Sequence, residues 1–228
     1  MKAIVLADGD APDRGALDAA WPGWAGDGDV VVAADGGARH AARLGLTVDA
    51  WVGDGDSIDA GELAALEAAG TTIRQVAAAK DESDSELAVL EALARGADVI
   101  VVLGALGGVR FDHSLANVGL LAMPQLAGRP AVLLDERTRI RLVTAPDGAG
   151  GAVRLALPGR IGDLVSLLPY GEGVVGVTTD GLAYPLADEP LPPGPARGLS
   201  NVRIAEDAAV TLRSGRLLVI ETPATLVR

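Results

Sequence analysis

The chain has 228 residues, 49% of them hydrophobic, and a net charge of -12 from 19 Lys and Arg against 31 Asp and Glu. That length buries one substantial core or two small ones, and so acidic a balance offers no surface for tracking phosphate backbones, so no nucleic-acid partner is expected. There is no cysteine, and the histidines are His40 and His113, which excludes disulfides, thiolate zinc and multi-histidine metal sites; any metal is held mainly by carboxylates, and hard oxygen ligands suit Mg²⁺, Mn²⁺ or Ca²⁺.

"MKAIVLADGD" opens on a short apolar run that turns acidic at once. No stretch approaches the ~18 apolar residues of a membrane span. A cytoplasmic protein with no membrane partner is expected. Strands are expected near "AIVLA", "DVVVAA", "DAWVG", "TIRQV", "DVIVVLG" and "AVLLDE", and helices near "ARHAARLG", "AGELAALEAAG", "DSELAVLEALARG" and "HSLANVGLLAM". This alternation predicts a mostly parallel sheet flanked by helices. After "TAPDGAGGAV" the pattern changes to short β-like runs, "AVRLAL", "LVSLLP", "GVVGVTT", "AAVTLRSG" and "RLLVIE", cut by Gly and Pro with no convincing helix. The expected organisation is therefore an α/β unit over 1–146 and a small all-β unit over 147–228. The Pro-rich "ADEPLPPGPARG" is a surface loop of the second unit, since β-like sequence resumes beyond it.

In open α/β sheets, ligands collect beyond the carboxyl ends of the strands. Asp8 and Asp10 follow the first expected strand, "ADGG" with Asp35 and Gly36 the second, and "GDGDS" with Asp54 and Asp56 the third; "KDESD" with Lys80, Asp81 and Asp84 follows the fourth, and "GALGGVRFDH" the fifth. Taken singly, these have structural explanations: "GDGDS" as a turn with a helix cap, "SDSE" from Ser83 to Glu86 as a capping box, Asp112 as a cap. Together, several carboxylates on one edge repel unless a cation is present. Asp54 and Asp56, one glycine apart, can reach one octahedral ion, with Asp81 as third candidate. Mg²⁺ keeps coordination sites for water and substrate phosphate, which points to phosphoryl or pyrophosphoryl transfer. Lys80 and Arg110 supply positive charge to such a transfer, and Lys80 stands out because only Lys2 accompanies it among the 19 basic residues. Gly107 and Gly108 allow backbone to approach phosphate. His113 and Asn117, one turn apart, share a helix face.

At these residues the chain resembles the thiamine pyrophosphokinases: "ADGG", "GDGDSI", "KDESDSELAVL" and "GALGGVRFDHSLAN" occur in order, followed by "DGLAYPL" and "GLSN". The resemblance implies a Rossmann-like catalytic domain followed by a β-sandwich domain that helps to bind thiamine, assembled as a homodimer. It implies transfer of the pyrophosphoryl group of ATP to the hydroxyl of thiamine, with Mg²⁺. It places metal-binding acids on Asp54, Asp56 and Asp81, Asp35 at the nucleotide and metal edge, Arg110 and Asp112 in the active site, and Ser200 and Asn201 in the thiamine pocket. In the dimer it implies, Ser200 and Asn201 face the acidic edge of the second chain. The chain departs from the family pattern in an extra Val109 before Arg110, in Ser83 and Leu199 for threonines, and in having no tryptophan after Trp51; Tyr170 and Tyr184 are the candidate replacements for an aromatic wall. Other readings are a pyrophosphokinase for another primary alcohol such as a hydroxymethyl pterin, a metal-dependent nucleotide-sugar transferase, which leaves "KDESD" and "GGVRFDH" unexplained, and a nucleotide sensor without turnover. No Walker-type phosphate loop is present.

Overall fold

Six parallel strands order the first half of the chain: β1 (Lys2–Leu6), β2 (Val30–Ala34), β3 (Ala50–Gly53), β4 (Thr72–Gln75), β5 (Val99–Leu103) and β6 (Ala131–Leu134). They pair in the order β6-β5-β1-β2-β3-β4. The central runs KAIVL, VVVAA and VIVVL are almost wholly buried, as β-branched strands covered on both faces should be. β4, TIRQ, is half polar and lies at the edge, where unpaired backbone tolerates water. The computed structural model describes residues 1–146 and 151–226. It separates into two compact units, Met1–Glu136 and Arg137–Arg228, and each has its own apolar core, one around Ile4, Leu6, Leu17, Trp51 and Leu103, the other around Leu157, Val165, Leu167, Val210 and Leu217.

Five helices accompany the parallel sheet: α1 (Arg14–Ala20), α2 (His40–Leu44), α3 (Ala60–Ala68), α4 (Asp84–Ala94) and α5 (Phe111–Leu120). α1 has no counterpart among the expected elements. Its seven residues bury only Leu17, and the Asp13 side chain caps it by accepting from Ala16 N; so short a helix shows no readable period. α3 carries a full capping box between Asp59 and Glu62. At α4 the Ser83 side chain accepts from Glu86 N at 3.1 Å, the Ser half of the expected box. α4 buries Leu87, Ala88, Val89 and Ala92, whereas α5 buries only Leu120.

The second unit holds β7 (Arg139–Ala145), β8 (Val153–Pro158), β9 (Leu164–Pro169), β10 (Val174–Asp180), β11 (Glu189–Leu191), β12 (Asn201–Val202), β13 (Asp207–Leu212) and β14 (Gly215–Thr222). They form two antiparallel sheets, β12-β9-β14-β7 and β11-β10-β13-β8, whose inner faces share one core, giving a β-sandwich. β7 is an addition to the expected strands. It pairs with β14 from Arg139 to Ala145 and belongs to the second unit, so the unit boundary lies ahead of it rather than at 146; residues 147–150, on which the expected boundary falls, are outside the described residues. Near the end of this pair Glu221, 1% exposed, accepts from Arg139, Arg141 and Arg203 at 2.7–2.8 Å.

Candidate active site

The strand order reverses at β1: β2, β3 and β4 run out on one side of it, and the chain then returns to place β5 on the other. Such a reversal parts the loops beyond the strand ends and leaves a crevice there. A cleft of about 790 Å³ lies at this point, lined from both sides of the reversal, by Asp8 and Gly9 after β1 and by Ala105, Gly107 and Gly108 after β5, and also by Asp35, Asp56, Lys80 and Asp84. The two loops at its base are laced together, Gly9 N donating to Gly104 O at 2.8 Å and Asp10 N to Leu106 O at 3.3 Å. His40, buried under them, donates from Nε2 to Gly9 O at 3.1 Å, and burial holds its pKa below the ordinary value.

Asp35 directly follows β2 with φ +42, a left-handed backbone that costs a non-glycine residue energy and persists only where its surroundings enforce it. Trp51 Nε1 does so by donating to Asp35 O at 3.0 Å inside the core. The Asp35 carboxylate is 3% exposed; Ser57 N donates to Oδ2 at 3.2 Å, and Oδ1 has no partner. Burial first, and the neighbouring Asp56 carboxylate, push its pKa up to about 6 against the opposing Ser57 N–H. Oxygens of Asp35, Asp54 and Asp84 lie within 4.8 Å of one another.

Asp54 follows β3, and its carboxylate is held below the usual range by the Asp56 N–H, which donates to Oδ1 at 3.1 Å, and then by Lys80, 3.2 Å from Oδ2. Lys80 also lies 3.1 Å from Asp84 Oδ1. Partial burial opposes its charge, but the Asp84 and Asp54 carboxylates outweigh that and raise its pKa. Asp56 accepts from Ser57 Oγ at 2.9 Å. Of the three acids expected to share an ion, the structure puts Asp54 in the carboxylate group with Asp35 and puts Asp56 on the cleft lining. Asp81 is exposed and lies outside both the carboxylate group and the cleft lining. Asp84 stands there instead, because Ser83 caps α4 and makes Asp84 its first residue.

On the opposite wall, Arg110 precedes α5 and is bidentate with Asp112, Nε to Oδ1 at 2.9 Å. The pair raises the Arg110 pKa and pulls that of Asp112 down to about 2. Asp112 is thus engaged by Arg110, and no side chain caps α5. Val109, the additional residue, is fully exposed. Gly107 has φ +77, a left-handed backbone that strains any side-chain-bearing residue, and a Cβ there would displace the Asp10 carboxylate, 2.2 Å away. Ser114 Oγ donates to Gly107 O and Asn117 Nδ2 to Ala105 O, both at 2.9 Å; the two side chains tie the glycine loop to α5. Asn117 thus shapes the loop, with His113 beside it on the cleft wall. Gly36 is absent from the lining; a Cβ there would meet the Asp8 carboxylate at 2.5 Å, so its smallness makes room for Asp8. Ser57 and Ser114 also line the cleft without any sequence signal that marks them, whereas Asp8 lies after β1 on the same edge.

In the second unit Asn201 is buried and engaged with backbone: Nδ2 donates to Tyr184 O at 2.6 Å, and Oδ1 accepts from Tyr184 N and Val202 N, both at 2.9 Å. It fixes the segment carrying Tyr184, whose ring is 62% exposed. Ser200 is exposed at φ +56, its N–H donating to Ser166 Oγ at 3.1 Å. Tyr170 lies under Arg216, 5.2 Å from guanidinium carbon to ring centre.

A doubly wound parallel sheet with carboxylates, a lysine and a glycine loop around its switch-point cleft, joined in sequence to a β-sandwich, defines the class of an α/β phosphotransferase. The family model "Thiamin pyrophosphokinase, catalytic domain" matches residues 24–133, and "Thiamin pyrophosphokinase, vitamin B1 binding domain" matches residues 153–218. Thiamine pyrophosphokinase from Bacillus subtilis is 27% identical over 157 residues, covering 69% of this chain and 70% of that protein. Its crystal structure superposes with a TM-score of 0.81 over 97% of this chain and 99% of that one at 24% identity. A thiamin pyrophosphokinase family protein from Enterococcus faecalis gives 0.79 at 26% identity, over 98% and 99% of the two chains. The chain belongs to the thiamine pyrophosphokinase family, and it is an enzyme. Among the described residues no helix is long and apolar enough to cross a membrane.

Proposed function

We propose that this chain transfers the pyrophosphoryl group of ATP to the hydroxyl of thiamine, giving thiamine diphosphate and AMP. The observation that carries this reading is the clustering of Asp35, Asp54, Asp84 and Lys80 at the switch-point cleft, in a chain matched in order by the catalytic and vitamin B1 binding models of one family. The residues fit Mg²⁺: all the donors are hard carboxylate oxygens, and the buried Asp35 Oδ1 has no partner in the protein. Asp54 and Asp56 would hold it, with Asp35 and Asp84. When bound, Mg²⁺ supplies neutralisation of polyphosphate charge.

The protein's own groups then position the reactants. Gly107 and Gly108 give the polyphosphate a side-chain-free wall, kept in place by Ser114 and Asn117. Arg110 and Lys80, both on the lining, meet the charge that builds on the transferred group and on AMP as it leaves in line. Asp112, which lines the cleft, orients the attacking hydroxyl; Asp81, off the lining, is less well placed. Thiamine is bound by the second unit near Ser200 and Tyr184, with Asn201 as support for the tyrosine. The acting form is a homodimer in which the sandwich of one chain serves the cleft of the other, and ATP as donor supports a cytoplasmic place of action. The test is incubation with ATP, Mg²⁺ and a panel of alcohols including thiamine and a hydroxymethyl pterin. AMP release with thiamine alone is expected. Release only with the pterin, or ADP in place of AMP, would overturn the assignment.

A further inference from the structure

Lys80 occupies an unusual place for a residue expected to serve phosphate. Its Nζ lies 3.2 Å from Asp54 Oδ2 and 3.1 Å from Asp84 Oδ1, two of the three carboxylates whose oxygens converge within 4.8 Å. Its side chain is 14% exposed and that of Asp54 13%, so the pairing is largely withdrawn from water. The third carboxylate, Asp35, is 3% exposed with Oδ1 unsatisfied. Three carboxylates against one ammonium leave a surplus of negative charge, and an orphaned, buried oxygen shows that the ammonium alone does not satisfy the group.

We infer that Lys80 is a built-in placeholder cation: it holds the carboxylate group together in the empty enzyme and must leave Asp54 and Asp84 for a divalent ion to load. This rests on the metal-site reading above and extends it to how the site is filled. The ammonium contacts two of the carboxylates that the ion needs, and two cations sharing the same carboxylates repel strongly at this range. Loading therefore releases Lys80, and because Lys80 lines the cleft, the released ammonium is available to phosphate oxygens in the same cavity. Charge neutralisation of the acids passes from the lysine to the ion as the lysine turns to the substrate. An alternative is that Lys80 merely fastens the 78–83 segment to the loop after β3. The two differ in sign: a fastener supports ion binding, whereas a placeholder competes with it.

The experiment measures Mn²⁺ affinity of the full chain without nucleotide, by electron paramagnetic resonance of free Mn²⁺, for the wild type, Lys80→Met, Lys80→Arg and Asp54→Asn. Lys80→Met should bind Mn²⁺ about ten-fold tighter, the effect of removing one nearby positive charge from a partly exposed site, while Lys80→Arg stays near wild type and Asp54→Asn weakens binding. Metal-free Lys80→Met should also melt below wild type, and Mn²⁺ should raise its melting temperature by more. If Lys80→Met binds no tighter while Asp54→Asn weakens binding, the placeholder inference fails and the metal site stands. If Asp54→Asn leaves binding unchanged, or no protein binds Mn²⁺, both fail. Should Lys80→Met not fold, Lys80→Gln replaces it under the same criteria.

Discussion

Replacing Asp35 by Asn removes a charge that the fold holds at a cost. The Asp35 carboxyl rises from 3.8 to about 6 on folding, and at roughly 1.4 kcal/mol per unit this is ~3 kcal/mol of penalty on the ionised form. The folded state binds this proton more tightly than the unfolded chain, so the penalty is fully present above about pH 6 and fades as pH falls towards the unfolded value near 4. Asn keeps an acceptor for the Ser57 N–H and offers an NH₂ to the surrounding carboxylates. Asp35→Asn should therefore stabilise the metal-free protein at pH 7.5 by ~1–3 kcal/mol, or about 3–10 °C in melting temperature for a chain of this size, and by about a third as much at pH 4.5. It should abolish the benefit that Mg²⁺ gives the wild type. Thermal melts in EDTA and in Mg²⁺ at the two pH values read this directly. Unchanged or lower stability at pH 7.5 in EDTA, or a gain equal at both pH values, would refute the reasoning.

In the second unit, Glu221→Gln leaves the guanidinium groups of Arg139, Arg141 and Arg203 without their shared carboxylate. It should cost ~3–5 kcal/mol in urea unfolding, whereas Glu189→Gln, in an exposed pair with Arg197, should cost under ~1; equal losses would contradict the buried-charge account. Asn117→Ala frees one of the two ties on the glycine loop, and should raise KM for ATP roughly five- to ten-fold by loss of one hydrogen bond, with thiamine KM unmoved. Tyr184→Ala should do the reverse, raising thiamine KM about ten-fold while leaving ATP KM and, because the ring is largely exposed, the melting temperature in place. Loss of stability with unchanged thiamine KM would reassign Tyr184 to the fold.

The parallel sheet was legible because its central strands are unbroken β-branched runs, and the site edge was legible because the acidic and glycine-rich loops each follow a strand. Two kinds of feature were not. β7, RIRLVTA, buries Ile140, Val143 and Ala145 without strict alternation, and its arginines are sheltered by Glu221, 80 or more residues away in sequence, a partner that no local pattern announces. In "KDESD" the cap at Ser83 was legible, but the choice between Asp81 and Asp84 was not, because it depends on which carboxylate the folded chain brings beside Asp35 and Asp54. The resemblance puts Asn201 in the thiamine pocket; in the structure Asn201, like Asn117, is engaged with backbone groups, which only tertiary contacts reveal.

Pyrophosphoryl transfer is tested most directly by following the terminal phosphorus of ATP. With γ-³²P-ATP, Mg²⁺ and thiamine, the label should appear in thiamine diphosphate, with one AMP formed for each, and Asp54→Asn should form neither product while retaining a cooperative melt. Label recovered instead in inorganic phosphate or in thiamine monophosphate, with ADP as the coproduct, would contradict the account.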